Sequence, residues 1–378
     1  MIQRALIAGG KTGGHLYPGI AVAEEILARN PAAAVTFVGT QDGIESRILP
    51  KLGYTLETIT VSRLKGGGVM GRIAGLLRVP VAMIQTCRLL RQYKPEVVLG
   101  VGGYASGPAL LMAWLCRYPT AIQEQNAHAG ITNRILGRIV RRIYLGFEAA
   151  GRQFAGRSTL ATGNPIRRAL VDALLNSKDE TTPAQSDVAL RVLVFGGSQG
   201  ARFLNERVPE LLSGLKDAHP EMQLQVTHQT GLNDVEATTA RYEDTSLASS
   251  VTVLPYIEDM PSAYAESDVA ICRAGALTVA ELTAVGLPCL LVPFPFAADN
   301  HQEANAKVLV DAGAARMMTQ AEWDPEAAIS WLSALAADRA RLQTMSNAAR
   351  SAAQPEAAAA VVDDLETMLG ASLTQEAK

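Results

Sequence analysis

Along the chain, short runs of β-branched and aliphatic residues alternate with longer stretches in which apolar positions recur every three to four residues. This is the βαβα signature of a parallel sheet covered by helices, because strands buried on both faces read as continuous apolar runs and covering helices as single apolar stripes. In the first half the pattern predicts strands over residues 5–8, 35–38, 56–59, 97–99, 120–123 and 142–145. The pattern then restarts, with strands expected over 191–195, 224–228, 251–254, 268–271, 289–292 and 315–318. Between the halves, 176–187 (NSKDETTPAQSD) is polar, contains Pro183 and has no apolar period, so it reads as an exposed connection. The expected organisation is a first domain over 1–165, a linker over 166–190 and a second domain over 191–340. The remaining segment, 341–378, belongs to an Ala-rich, helix-favouring end that begins near Asp338 and packs back across both domains.

Composition agrees with two soluble globular domains, since 378 residues with 48% hydrophobic content suffice for two cores. A formal net charge of -3 argues against a dedicated nucleic-acid binder and leaves local patches to be sought separately. The four cysteines, Cys87, Cys116, Cys272 and Cys289, lie in apolar runs without CxxC spacing and are expected as buried thiols of a reducing compartment. The start, MIQRALIAGG, lacks the basic and apolar regions of a secretory signal, so a cytoplasmic location is expected. Two uncharged stretches, 97–116 and 282–298, are interrupted by glycines or prolines and do not read as spanning helices.

Three glycine loops follow predicted strands. The first, Gly9-Gly10-Lys11-Thr12-Gly13-Gly14-His15, leads into a helix expected from Pro18. It formally fits a relaxed phosphate-loop pattern, but the four intervening residues would be mostly strand core, so an ATPase is rejected. The second, Gly100-Val101-Gly102-Gly103-Tyr104-Ala105, fits a loose dinucleotide fingerprint with Glu124 on the next strand. It follows the fourth strand, where that fingerprint belongs after the first. The third, Gly196-Gly197-Ser198-Gln199-Gly200-Ala201, opens a helix expected over 201–215 and offers amides and a hydroxyl to a diphosphate; a tight turn requiring positive φ would look the same. Its similarity to the first loop, and the later run Cys272-Arg273-Ala274-Gly275-Ala276-Leu277-Thr278 with Glu281, favour a ligand. In open α/β sheets ligands sit beyond the carboxyl ends of strands.

In order, Gly13-Gly14-His15, Gly102-Gly103-Tyr104, Glu124-Gln125-Asn126, Gly163-Asn164-Pro165-Ile166-Arg167, Gly196 to Ala201 and Arg273 to Thr278 resemble the MurG family. These are the bacterial UDP-N-acetylglucosamine:lipid I N-acetylglucosaminyltransferases of peptidoglycan synthesis, in glycosyltransferase family 28. The resemblance runs from about Ile7 to Ala315. It implies an α/β GT-B fold, two Rossmann-like domains with parallel sheets facing an interdomain cleft. It implies an inverting transfer of N-acetylglucosamine from UDP-GlcNAc to the C4 hydroxyl of the muramyl sugar of lipid I, giving lipid II. A glycolipid synthase acting on diacylglycerol and a noncatalytic nucleotide-sugar-binding subunit are the alternatives.

By matching motif, the resemblance assigns UDP-GlcNAc binding to Thr12, Gly13, Gly14, Asn126, Arg167, Ser198, Ile257, Ala276, Leu277, Thr278, Val279, Ala280, Glu281 and Gln302. Ser198 would touch the diphosphate, Ile257 the uracil through its backbone, Glu281 the ribose hydroxyls and Gln302 the sugar hydroxyls. Gly102, Gly103 and Tyr104 would lie on the acceptor diphosphate side. His15 is the leading general base, as an imidazole whose ordinary pKa is near neutrality, with Glu124 the competitor and a binding or orienting role for His15 the alternative. No Asp-x-Asp triplet occurs, so no metal or other cofactor is expected, and leaving-group charge would fall on loop amides, Ser198 and a helix dipole. Against the family's usual Ala-Gly-Gly-Thr-Gly-Gly-His loop, this chain carries an extra Lys11, which either adds charge near a diphosphate or bulges outward.

Between Glu57 and Glu96 there is no acidic residue, while Arg63, Lys65, Arg72, Arg78, Arg88, Arg91 and Lys94 are interleaved with Val69, Met70, Ile73, Leu76 and Leu77. Such a stretch suits an anionic membrane surface, and a core-facing helix with solvated arginines is the alternative. With the resemblance, whose acceptor is a polyprenyl diphosphate lipid, it suggests a peripheral protein on the cytoplasmic face of the plasma membrane.

Overall fold

The computed structural model describes residues 1–61, 68–176, 189–243 and 245–376, and within these the side chains of 68–78, 173–176, 189, 298 and 372–376 are outside the description. The polar connection expected at 176–187 therefore lies, from residue 177 onward, outside the described residues. The chain divides into two compact units, Met1–Arg168 with Gln354–Lys378, and Ala169–Ala353.

The first unit is built on seven parallel strands: β1 (Arg4–Ala8), β2 (Ala34–Gly39), β3 (Thr55–Thr58), β4 (Val97–Gly100), β5 (Thr120–Glu124), β6 (Arg142–Leu145) and β7 (Thr159–Ala161). Their order is β3-β2-β1-β4-β5-β6-β7. Helices α1 (Gly13–Arg29), α2 (Glu45–Ile48), α3 (Gly68–Tyr93), α4 (Ser106–Leu115) and α5 (Ile131–Leu136) connect them, and α6 (Arg168–Asn176) starts at the boundary. Each strand predicted for this half is present within a residue or so. The unpredicted β7 is three exposed residues, too short and too uncovered to show a pattern.

The second unit repeats the plan with β8 (Ala189–Phe195), β9 (Gln223–Gln229), β10 (Val251–Leu254), β11 (Val269–Cys272), β12 (Cys289–Leu291) and β13 (Ala315–Met317) in the order β10-β9-β8-β11-β12-β13. Its helices are α7 (Arg202–Ala218), α8 (Val235–Glu243), α9 (Met260–Ala265), α10 (Ala276–Val285), α11 (His301–Asp311), α12 (Pro325–Ala337) and α13 (Arg339–Ser351). Both sheets have the doubly wound order, which reverses between β1 and β4 in one unit and between β8 and β11 in the other. Such reversals splay successive crossovers to opposite faces and leave a crevice at the strand ends.

Three expectations change. Helix α1 begins at Gly13, five residues before Pro18, which lies inside it. Proline costs the helix one amide there, while Gly19 lets α1 settle on the sheet, since a Cβ at this position would lie 3.1 Å from Ile7 Cγ2. Second, the Ala-rich end is two helices. α13 packs on α10 of the second unit, whereas α14 (Ala357–Glu376) packs on α1 and buries Val361, Val362, Leu365 and Met368 in the first unit's core. Asp364 fixes α14 there by accepting hydrogen bonds from Tyr144 Oη at 2.9 Å and Arg142 Nε at 3.0 Å. Third, Cys272 and Cys289 are buried as expected, but Cys87 is only partly covered and Cys116, at the end of α4, is exposed.

Candidate functional site

In the first unit, β1 and β4 end side by side at the strand-order reversal, and both glycine loops emerge there. The loops touch backbone to backbone: a Cβ on Gly9 would lie 2.6 Å from the Gly102 carbonyl, and one on Gly103 (φ +83) 2.6 Å from the Gly10 carbonyl. Only glycine permits this approach. Lys11 has φ +77, a left-handed conformation unusual for a residue with a side chain. Its N–H donates to Glu45 Oε2 at 2.6 Å, and its ammonium lies 4.5 Å from the Tyr104 ring centroid. Lys11 therefore reaches the second loop, with its cation over the ring of Tyr104.

Glu45 carried no signal in the sequence, where it reads as one more acid in a polar turn. Folded, it is fully buried and also accepts the Thr40 N–H at 2.9 Å and the Thr40 hydroxyl at 2.8 Å. Gly10, Gly39 and Gly43 surround it so closely that a Cβ on any of them would come within 2.6 Å of the carboxylate side chain.

The α1 N-cap, Thr12, makes no side-chain cap, so the first-turn amides of Gly13 and Gly14 stand at an open helix end beside His15. His15 Nδ1 lies 3.2 Å from Gln125 Oε1. Glu124, the competing base, is 1% exposed. Oε1 accepts the Asn126 N–H at 2.9 Å and its side-chain amide at 3.3 Å, and Oε2 accepts Gly130 N–H at 3.1 Å and Asn133 Nδ2 at 2.9 Å. Four donors hold this carboxylate, which organises the 126–130 turn and positions Asn126. Arg167 stacks its guanidinium on Tyr17, 5.0 Å from the ring centroid.

In the second unit, β8 ends in Gly196 to Ala201. Gly200 (φ +74) presses so close to the 230–231 turn that a Cβ would lie 1.7 Å from the Thr230 carbonyl, and Ser198 stays exposed. Helix α7 follows, again with no side-chain cap. At the strand-order reversal, α10 starts on Gly275 without a cap, which leaves the Ala276, Leu277 and Thr278 amides at its open end. Val279 comes next in the helix. Its N–H donates to the Gly275 carbonyl at 2.9 Å and its side chain is fully buried, so it is core; Ala280 likewise lies beyond the open turn.

Glu281 Oε2 accepts the hydroxyl of buried Tyr264 at 2.9 Å, which fixes its direction. Ile257 is 8% exposed and lines a cavity of 640 Å³ with Thr227 and Thr252. Gln302 Oε1 accepts the Phe294 N–H at 2.8 Å, so its amide is turned to donate. Arg273 organises this corner by donating to the Val292 and Pro293 carbonyls, both at 3.0 Å, and to Gln320 Oε1 at 3.1 Å. Its burial lowers the guanidinium pKa to about 10. Among the described residues no cluster of His, Cys, Asp and Glu could hold a metal ion.

The side chains of the apolar and basic set Val69, Met70, Arg72, Ile73, Leu76, Leu77 and Arg78 lie outside the described residues, although the backbone there is part of α3. Beyond it, Val81 and Ile84 of α3, Trp114 of α4, and Ile131 and Ile135 of α5 are all exposed. α4 packs between α3 and α5, so these side chains fall on neighbouring elements, with Arg88, Arg91, Arg134 and Arg138 exposed on α3, α5 and just beyond. No described helix is long and apolar enough to cross a membrane.

The family model for the glycosyltransferase family 28 N-terminal domain matches residues 5–145, and that for its C-terminal domain matches 191–361. The chain is 47% identical over 361 residues to the UDP-N-acetylglucosamine--N-acetylmuramyl-(pentapeptide) pyrophosphoryl-undecaprenol N-acetylglucosamine transferase of Anaeromyxobacter sp. (strain Fw109-5), covering 96% of this chain and 92% of that protein. It is 43% identical to the transferase of the same name from Geobacter sulfurreducens, with 96% and 98% covered. Among solved structures, Acinetobacter baumannii MurG matches with a TM-score of 0.75 and 35% identity over 97% of this chain and 99% of its own. Neisseria meningitidis UDP-GlcNAc 2-epimerase bound to UDP-GlcNAc, at TM-score 0.68 and 14% identity over 96% of this chain and 100% of its own, shares the fold. Two doubly wound units, both family models and near full-length likeness together give the GT-B fold class, and the chain belongs to glycosyltransferase family 28.

Proposed function

We propose that this chain transfers N-acetylglucosamine from UDP-GlcNAc to the C4 hydroxyl of the muramyl sugar of lipid I, forming lipid II with inversion at the anomeric carbon. The observation that carries the chemical assignment is His15, held by Gln125 beside the open N-terminus of α1. As the C4 oxygen bonds to the anomeric carbon, its proton passes to His15 and the bond from that carbon to the diphosphate oxygen breaks, UDP leaving with the electron pair. Glu124 is unsuited to take that proton, because each of its carboxylate oxygens already accepts two hydrogen bonds within its own turn.

The second unit supports the nucleotide assignment. Ser198 and the open ends of α7 and α10 offer donors to a diphosphate, and would stabilise leaving-group charge as fixed dipoles do. Glu281, oriented by Tyr264, suits two vicinal ribose hydroxyls, and the Gln302 amide suits a sugar hydroxyl as a donor. In the first unit, the Gly13 and Gly14 amides at the open end of α1 suit UDP-GlcNAc, and the Lys11 cation beside Tyr104 suits the acceptor's diphosphate. The exposed apolar side chains of α3 to α5 with neighbouring arginines fit peripheral attachment to an anionic leaflet on the cytoplasmic face.

Product formation with purified lipid I and UDP-GlcNAc tests the reading. His15→Ala is expected to lower kcat by about 10²-fold or more at saturating substrates. Unchanged turnover removes His15 as the base. Transfer to diacylglycerol, or normal UDP-GlcNAc binding with no acceptor ever glycosylated, replaces the proposal by the glycolipid synthase or the noncatalytic subunit.

A further inference from the structure

Gln125 follows β5 and is 1% exposed. Its side-chain Nε2 donates to the Val101 carbonyl and to the Gln123 carbonyl, each at 3.1 Å. Both amide protons are thereby engaged, and exchanging the amide's oxygen and nitrogen would set its oxygen against two carbonyl oxygens. The orientation is therefore imposed from both sides, and Oε1 is the atom that faces His15 Nδ1 at 3.2 Å. An oxygen there can only accept, so the neutral ring carries its proton on Nδ1 and its lone pair on Nε2.

Gly102 makes this contact possible. It has φ +89, and a Cβ would lie 2.6 Å from His15 Nδ1, which would push the ring away from Gln125. Val101 and Gly102 belong to the loop after β4, Gln123 and Gln125 to β5 and its end, and His15 to α1. Three separate segments thus converge on one imidazole edge.

We propose that Gln125 is a positioning residue that locks His15 in the Nδ1–H tautomer and so dedicates Nε2 to accepting the acceptor's proton. The inference deepens the reading of His15 as base and rests on it for its catalytic consequence. It needs no counter-charge in this contact, because a neutral amide fixes the ring by geometry alone. A base presented in the wrong tautomer has its proton on the nitrogen that must receive one.

The first measurement uses the unaltered protein. Long-range proton–nitrogen correlation spectra of its five histidines, with the His15 signals identified by their loss in His15→Gln, report which ring nitrogen is protonated in the neutral form. A protonated Nδ1 with an unprotonated Nε2 is expected, and a protonated Nε2 overturns the proposal. Gln125→Met then removes the acceptor at similar volume. The His15 nitrogens should shift toward a mixture of tautomers, and kcat should fall by about 10-fold while KM for UDP-GlcNAc stays within about twofold, a part of what the base itself contributes.

An unchanged tautomer or an unchanged kcat in a folded Gln125→Met protein overturns the lock. If that variant does not fold, the wild-type spectrum still decides the assignment. Retained turnover in His15→Ala refutes the base, and with it the catalytic role of Gln125, whatever the spectrum shows. The two failures are thus separable.

Discussion

Glu45→Gln preserves side-chain volume and removes one charge, so it isolates what the buried carboxylate does for the first glycine loop without opening a cavity. The carboxylate accepts from Thr40 N–H, the Thr40 hydroxyl and Lys11 N–H. A glutamine can keep its oxygen on the two Thr40 donors, but its NH2 then faces the Lys11 N–H, donor against donor. The direct loss is one hydrogen bond to a charged acceptor plus a donor left without its partner, about 2–3 kcal/mol. That loss falls on a loop already held with Lys11 at φ +77, so the 9–14 segment should open locally. At about 1.4 kcal/mol per factor of ten, its amides should exchange with solvent roughly 30- to 150-fold faster. Hydrogen-exchange mass spectrometry on peptides covering 9–14 and 39–45 reads this directly, with peptides of the second unit as internal reference. Exchange within about threefold of the unaltered protein would refute the claim that Glu45 clamps this loop. Lys11→Gly in the Glu45→Gln background should recover part of the protection, because glycine adopts positive φ without steric cost.

Tyr264→Phe deletes the hydroxyl that orients Glu281, so KM for UDP-GlcNAc should rise about 5- to 10-fold with kcat nearly unchanged, the cost of one hydrogen bond of roughly 1 kcal/mol; steady-state kinetics with the donor varied checks it, and an unaltered KM removes Glu281 from ribose recognition. His228 is buried between Tyr242 and Asn205, and desolvation lowers its pKa from 6.5 to about 3. The unfolded chain therefore binds a proton that the folded chain refuses between those values, so this stability is fully present above about pH 6.5 and is lost as pH falls toward 3. Below pH 6 the slope should approach about 1.4 kcal/mol per pH unit for this group, and chemical denaturation of His228→Gln should show that slope reduced. Ile131→Glu with Ile135→Glu, both on the exposed side of α5, should weaken binding to anionic vesicles at low salt while leaving donor binding intact; undiminished vesicle binding places the contact elsewhere.

Much was fixed locally, and for a physical reason. Strands buried on both faces must be apolar nearly throughout, so inner strands such as β1, β4, β11 and β12 stand out in the sequence as continuous apolar runs, and a strand that ends in glycines before an amphipathic helix announces a loop where backbone approaches backbone. Those signals located the three glycine loops and, through the ordered motifs, the family. β7 escaped because three exposed residues carry no such signal, and α1 was placed too late because proline inside a helix resembles its beginning.

What only the tertiary structure decided depends on partners distant in sequence. Glu45 meets Lys11 across 34 positions and Gln125 meets His15 across 110, and no periodicity encodes such a meeting. Glu124 looks like a free acid in the chain and becomes a turn organiser once Asn126, Gly130 and Asn133 close around it. Val279 sits in a ligand-like motif, yet helix geometry gives its amide to Gly275 and its side chain to the core. The sequence set which chemical groups stand near the strand ends; folding set which of them are engaged by one another and which remain to meet a substrate, because a hydrogen bond's value depends on burial and partner, and both are properties of the packed chain.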